Sequence, residues 1–140
     1  MQIYNISNNK LFMKELLKSS LFDSFLVKEV IICTNIKYII EGNIKAKDKY
    51  ILWAEIRQQV YYLMSNSELI SYFKIIFLAS SSKTILISDE VTSFLLNISY
   101  KDEDITITTG CNYDKFTKDL LGEKEWDKKI EKFLCRYNFI

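Results

Sequence analysis

Residues 25–46, FLVKEVIICTNIKYIIEGNIKA, carry the pattern that decides the fold. The first part, residues 25–34, is rich in Val and Ile on both faces, as expected of a covered central strand. The second part, residues 36–46, alternates apolar with charged or polar side chains, which is typical of a half-buried strand. We predict that the two strands pair as an antiparallel hairpin around Asn35.

The rest of the chain predicts further strands and helices without a domain boundary. It has no proline and only three glycines, so no flexible or proline-rich linker is available to separate domains. We predict a single domain over residues 1–140. Hydrophobic spacing and capping residues predict these further elements: strands over 2–6, 69–79, 93–101 and 105–109, with Gly110 ending the last; helices over about 8–19, capped by Ser7, and 52–65; a short helix or turn around 80–82; and a final helix whose stripe is Trp126, Ile130, Phe133, Leu134 and Tyr137.

The order of these elements predicts an α+β fold. Strand, helix, strand, strand occurs over residues 2–46 and again over residues 69–109, which suggests duplicated units. Two such units side by side would form a single mixed or mainly antiparallel sheet with helices packed on one face.

Composition argues against most catalytic functions. The chain has no histidine, the residue that most often serves as general base or metal ligand. It also lacks a Gly-rich phosphate loop and a Cys pair at metal-ligand spacing. We therefore expect no catalytic residues, no cofactor and no metal, and interpret Cys111 as a buried thiol and residues 102–104 as a solvated hairpin tip. An enzyme that works with carboxylates, Lys or Tyr alone stays open as an alternative.

Cysteine usage and hydropathy predict a cytoplasmic protein. Three widely spaced cysteines do not form an even disulfide framework. The first residues lack a signal-peptide pattern, and no apolar run approaches the roughly 20 residues of a membrane span, so we expect no membrane contact. Every basic residue except Arg57 and Arg136 is lysine, a bias typical of a low-GC bacterial or phage genome.

One candidate binding surface centres on Arg57. In a chain that otherwise prefers lysine, an arginine flanked by Trp53 and Tyr61 suggests that its planar fork binds a carboxylate, a phosphate or a stacked ring. The alternative is that Arg57 covers the edge of the apolar stripe and pairs with a carboxylate of its own chain. The predicted binding set is Arg57, Trp53, Tyr61, Tyr62, Tyr72 and Lys74.

A second candidate surface is basic. Its lysines are Lys10, Lys14 and Lys18 on the first helix and the run Lys45, Lys47 and Lys49. Together with Lys74 and nearby aromatics they resemble a surface that stacks single-stranded nucleic acid. Such lysine rows are also common as solvated faces or edge strands. Because 19 basic residues nearly balance 18 acidic ones, no global field favours nucleic acid.

Five segments resemble a small bacterial family, the domain of unknown function numbered five-seven-two-one. They are residues 21–26, 72–77, 95–100, 108–110 and 126–134. This resemblance implies a shared fold and brings no activity. In element order the chain is also similar to a single domain of a DNA sliding clamp, which is a fold analogy.

We expect a small non-catalytic binding or assembly protein that acts through protein–protein contacts, with itself as a homodimer or with another protein. The alternative is a nucleic-acid-associated protein that uses the lysine and aromatic surface.

Overall fold

The computed structural model describes residues 1–43, 49–65, 69–88, 91–113 and 120–140. All strands of these residues belong to one sheet. In chain order the elements are β1 (Ile3–Asn5), α1 (Asn9–Lys18), β2 (Leu26–Cys33), β3 (Lys37–Glu41), β4 (Ile51–Leu52), α2 (Trp53–Ser65), β5 (Tyr72–Leu78), α3 (Ser81–Ile87), β6 (Val91–Lys101), β7 (Asp104–Tyr113) and α4 (Leu121–Arg136).

The predicted hairpin of β2 and β3 is confirmed, with Val30 opposite Ile40 and Cys33 opposite Lys37. The second strand ends at Glu41, and residues 44–48 lie outside the described residues. A Cβ atom on Gly42 would lie 1.7 Å from the Val27 carbonyl oxygen. Only glycine therefore allows the backbone to approach β2 this closely where β3 ends.

Strand order confirms the predicted α+β class and its antiparallel sheet. The order is β1-β7-β6-β5-β2-β3, with β4 also paired to β2, and every described pairing is antiparallel. Strand, helix, strand, strand occurs twice, as predicted. The two units interleave instead of lying side by side, because β1 pairs with β7 and the meander of β5, β6 and β7 separates β1 from β2.

Aromatic residues join three helices to one face of the sheet. The buried Phe22 ring contacts Phe12 of α1, Phe77 of β5 and Phe133 of α4 at centroid distances of 5.5–5.9 Å. Trp53 of α2 packs edge-on against the same Phe77 ring. Such edge-on and stacked pairs add stability beyond the area they bury.

The ends of the chain meet at this core. Asn138 adopts a left-handed φ of 61°, which ends α4 and directs the fully buried Phe139 inward. The backbone N–H of Ser7 donates to the Phe139 carbonyl at 2.8 Å, and the Ser7 hydroxyl donates to the same oxygen at 3.1 Å. Because Ser7 makes this contact, the N-cap of α1 is Asn8, whose side chain accepts from the Leu11 N–H. The prediction of Ser7 as the cap was wrong by one residue.

Two other boundaries differ from the sequence prediction. Strand β5 begins at Tyr72, three residues later than predicted, and Leu69 is exposed. Strand β7 continues through Gly110 to Tyr113, because Gly110 keeps the regular pairing opposite Leu95 and has no positive φ. The turn between β6 and β7 places Asp102 and Glu103 at positive φ, as a two-residue hairpin requires.

The opposite face of the sheet, which we call the open face, carries none of α1, α2 and α4. Along each strand its residues alternate with the buried ones. Except for Leu78, which lies opposite Leu95 and is buried, their side chains are half-buried or exposed. Its central residues are Glu29, Ile31, Lys74, Ile76, Leu95 and Asn97.

Candidate binding groove on the first helix

The sequence of α1 divides its surface into a buried and a basic side. Phe12, Leu16 and Leu17 are buried against the core. Lys10, Lys14 and Lys18 follow one another at intervals of four residues and are exposed. Because residues four apart lie on neighbouring turns, the three ammonium groups share one side of the helix. The predicted lysine row is therefore a continuous feature of the surface.

Helix α2 is held beside α1 by a buried hydrogen bond. The Trp53 indole N–H donates to the Leu16 carbonyl at 3.0 Å, and the Trp53 side chain has no exposed surface. Val60 and Met64 continue the buried stripe of α2. This packing leaves Tyr61 on the outer side of α2, next to the lysine row, with 38% of its surface exposed.

Between these elements lies a shallow groove of about 540 Å³, which we call the α1 groove. Its floor is apolar and its rim is basic. The Lys18 ammonium lies 5.5 Å from the centroid of the Tyr61 ring, within range of a cation–π contact. The lining residues are Asn8, Lys10, Leu11, Met13, Lys14, Leu17, Lys18 and Tyr61.

The charged side chains among the described residues that line the groove are all lysines. None of these described lining residues is acidic. Within the described part of the chain, no carboxylate lies within ion-pair distance of Lys10, Lys14 or Lys18. A helix of this geometry rises about 6 Å every four residues, so the rim presents three regularly spaced positive charges to an incoming ligand.

A second cavity extends the apolar surface past the beginning of α1. It measures about 380 Å³ and shares Lys10 and Met13 with the α1 groove. Leu69, which is 77% exposed, forms part of its wall. The remaining lining residues are Asn9, Ile70, Phe73, Tyr100 and Ile105. A ligand that fills the groove can therefore continue onto further apolar surface.

Arg57 is already paired within the chain. Its Nε donates to Asp23 Oδ1 at 2.9 Å and its Nη2 donates to Asp23 Oδ2 at 3.2 Å. Both side chains are only 21% exposed. The planar fork is thus used for a carboxylate, as the sequence suggested, and that carboxylate belongs to the same chain, as in the alternative interpretation.

The structure does not bring the predicted binding set together. Among its members only Tyr61 lines the α1 groove. Trp53 lies in the core, and Tyr62 is 68% exposed on α2. Tyr72 and Lys74 lie on the open face, opposite Cys33 and Ile31 in the ladder, and so on the other side of the sheet from α1 and α2.

The predicted basic patch is also divided. Lys10, Lys14 and Lys18 form the groove rim, while Lys49 is exposed just before β4 and does not line the groove. Lys45 and Lys47 lie outside the described residues. Sequence analysis overlooked Leu11, an apolar residue whose helical position falls among the lysines and away from the buried stripe. An apolar residue in this position could have predicted an apolar surface beside the lysines.

The described residues that line the groove include no His, Cys, Asp or Glu. In the described ranges no three His, Cys, Asp or Glu side chains are placed to hold a metal ion. Cys111, on the buried face of β7 beneath α4, is half-buried, and burial raises the pKa of its thiol above the ordinary value of 9.0. This shift keeps the thiol protonated, which lowers its reactivity as a nucleophile.

Comparison with known proteins identifies the family. No curated protein and no solved structure matches the chain significantly, so the similarity to a sliding-clamp domain stays an analogy of element order. None of the described helices is long and apolar enough to cross a bilayer. A family model, described as a family of unknown function (DUF5721), matches residues 15–140, which confirms the resemblance found in the sequence. The chain therefore belongs to the DUF5721 family.

Proposed function

We propose that this protein is a non-catalytic binding module whose α1 groove receives an acidic, amphipathic segment of a partner protein. The observation that carries the proposal is the combination of an apolar floor with a rim of three lysines that have no described ion-pair partner. An amphipathic helix placed in such a groove would bury its apolar side chains on Leu11, Met13 and the Tyr61 ring. Carboxylates one turn apart on the same helix would meet the lysines.

A comparison within the molecule supports the choice of α1. Helix α4 carries a row with the same spacing, Lys124, Lys128 and Lys132, and all three are exposed. This second row lies among the acidic residues Glu123, Glu125, Asp127 and Glu131 on the same helix. Four carboxylates on the same helix therefore offset this second row, whereas α1 carries only one carboxylate, that of Glu15, beside its three lysines.

Single-stranded nucleic acid is the second candidate, because the exposed Tyr61 lies next to the lysine row and Tyr62 is exposed on the same helix. Three lysines limit its strength. Neutralising three phosphates of a single strand gives a salt dependence with a slope of only about −2. Tyr72 and Lys74, which would have enlarged the surface, lie on the opposite side of the sheet. We also propose a cytoplasmic location, since the three cysteines are free thiols.

The test uses defined probes. A fluorescein-labelled amphipathic peptide, with Glu at every fourth position beside Leu, is titrated with the protein and followed by anisotropy. The same peptide with Gln in place of Glu, and a labelled oligothymidine, serve as comparison probes. We expect the Glu peptide to bind more tightly than either, and its affinity to fall with added salt.

Two matched variants locate the site. Replacing Lys10, Lys14 and Lys18 with Gln should weaken binding of the Glu peptide about tenfold, because three exposed ion pairs contribute about 0.5 kcal/mol each. Replacing Lys124, Lys128 and Lys132 with Gln should leave binding unchanged. Equal effects of the two variants, or equal binding of the Glu and Gln peptides, would refute the proposal. Stronger binding of oligothymidine that depends on the groove lysines would favour the second candidate.

A further inference from the structure

Strand β3 forms one edge of the sheet, and no described strand pairs with its outer side. Hydrogen bonds show which backbone groups point outward. The Thr34 N–H donates to the Ile36 carbonyl, and the Gly42 N–H donates to the Lys28 carbonyl. Since the pairing alternates in an antiparallel ladder, the even-numbered residues of β3 direct their N–H and C=O groups toward β2.

The odd-numbered residues of β3 therefore face away from the sheet. On β2 the odd-numbered residues likewise point away from β3. The carbonyl of Cys33, for example, accepts from the Ser71 N–H on the side of β5. The N–H and C=O groups of Lys37, Ile39 and Glu41 are thus directed outward, where a further strand could pair with them. Such an edge is a ready template for β-augmentation.

We propose that β3 binds β3 of a second copy of this chain, as an antiparallel pair centred on Ile39. The sequence of the strand, KYIIE, is complementary to itself in this arrangement. Lys37 of one copy lies opposite Glu41 of the other, Ile39 lies opposite Ile39, and Tyr38 lies opposite Ile40. Three directly opposed residue pairs would exchange six backbone hydrogen bonds between the two copies.

Side-chain exposure and charge support this occupant. The Ile39 side chain is 57% exposed, and pairing with its equivalent would cover it. Glu41 lies directly opposite Glu29 in the β2–β3 ladder, and no described cation is within ion-pair distance of either. Like charges directly opposed across strands are unfavourable. Lys37 of the second copy would supply the missing positive charge beside Glu41.

Charge also selects the register. A pair centred on Lys37 would place two lysines opposite each other, and one centred on Glu41 would oppose two glutamates. A pair centred on Tyr38 or Ile40 would leave Lys37 without an opposing carboxylate. The arrangement around Ile39 forms two Lys37–Glu41 pairs, one at each end of the paired strands. Its two-fold symmetry limits the assembly to a dimer.

A charge exchange tests the proposal. Lys37 and Glu41 are exposed, so replacing either should not disturb the fold. We expect the unmodified chain to dimerise with increasing concentration in sedimentation equilibrium. The variants Lys37→Glu and Glu41→Lys should each be monomeric when alone, because each opposes like charges. An equimolar mixture of the two should again form dimers, since both glutamates of the first variant would then face lysines of the second.

Controls separate this outcome from general charge effects. Lys132→Glu changes an exposed lysine of α4, away from this edge, and should leave dimerisation unchanged. Circular dichroism should be the same for all variants. A chain that stays monomeric at millimolar concentration, single variants that dimerise as the unmodified chain does, or a mixture that fails to recover the dimer would overturn the proposal. The groove lysines are unchanged in every variant, so failure here leaves the peptide-binding proposal separately testable.

Discussion

Gly42 allows a sharp test of the packing between β2 and β3. Its missing Cβ would lie 1.7 Å from the Val27 carbonyl oxygen and 2.6 Å from the Val27 carbonyl carbon. Real Cβ contacts essentially never fall below 3.0 Å, so Gly42→Ala must move one backbone by more than an ångström. The Gly42 N–H donates to the Lys28 carbonyl, and the Gly42 carbonyl accepts from the Ile51 N–H. Because these bonds fix the backbone, we place the cost at about 3 kcal/mol, the upper end of overpacking effects.

Gly110 supplies the matched control. A Cβ atom there would lie 3.7–3.8 Å from the Leu95 side chain, an ordinary contact, and Gly110 has no positive φ. Gly110→Ala should therefore change stability by no more than about 0.5–1 kcal/mol, and in the stabilising direction, because alanine reduces the freedom of the unfolded chain. The two substitutions add the same methyl group to the same sheet.

The assay is urea unfolding followed by the fluorescence of Trp53 and Trp126, both buried. With a slope of about 2 kcal/mol per molar urea, Gly42→Ala should lower the midpoint by about 1.5 M, while Gly110→Ala should raise it by no more than about 0.5 M. If the free energy of unfolding of Gly42→Ala lies within about 0.5 kcal/mol of that of the unmodified chain, the close approach of Gly42 to Val27 is refuted. If both variants lose equal stability, the cost reflects glycine in strands generally.

A double-mutant cycle with Arg57→Ala and Asp23→Ala should give a coupling of about 1 kcal/mol in urea unfolding, since the pair is bidentate and partly buried; zero coupling would mean that the pair is only a surface contact. In single-cysteine variants, iodoacetamide should modify the exposed Cys135 faster than the half-buried Cys111. The rate of Cys111 modification should keep rising above pH 9.0, because burial raises the pKa of that thiol. Faster labelling of Cys111 than of Cys135 would contradict its burial. The free energy of unfolding should fall as pH rises through 9.0 and beyond 10.0. Burial raises the pKa of Cys111 and of Tyr4 in the folded state, so the unfolded chain loses these protons first. Cys111→Ser should reduce the fall in unfolding free energy between pH 8 and pH 10, and an unchanged pH profile would refute the assignment.

Hydrophobic periodicity predicted most helices and strands, because the spacing of apolar residues reflects which face of each element is buried. The hairpin around Asn35 and the stripe of α4 were visible from residue spacing alone, and both are present. Boundaries were less predictable where tertiary contacts decide them. Ser7 and Asn8 are both good capping residues, and only the buried Phe139 carbonyl, far along the chain, determines that Ser7 is used elsewhere.

The candidate site was predictable in part. The lysine row on α1 follows from helical spacing, which a single helix fixes. The grouping of Arg57 with Tyr72 and Lys74 could not be checked from the sequence, because it requires knowing which face of the sheet each strand residue occupies. Likewise, the partner of Arg57 is Asp23, 34 residues away, and no local pattern connects a helix residue to a carboxylate in a distant turn.

The pairing of β1 with β7 constrains the order of events during synthesis. Ile3 lies opposite Thr108, so β1 cannot join the sheet until residues more than a hundred positions later have been synthesised. The meander of β5, β6 and β7 needs only neighbouring segments and can assemble while β1 waits. Until β7 has been synthesised, the backbone groups of β1 are unpaired in the nascent chain. Unpaired strand edges of this kind bind chaperones and promote aggregation when translation is slow.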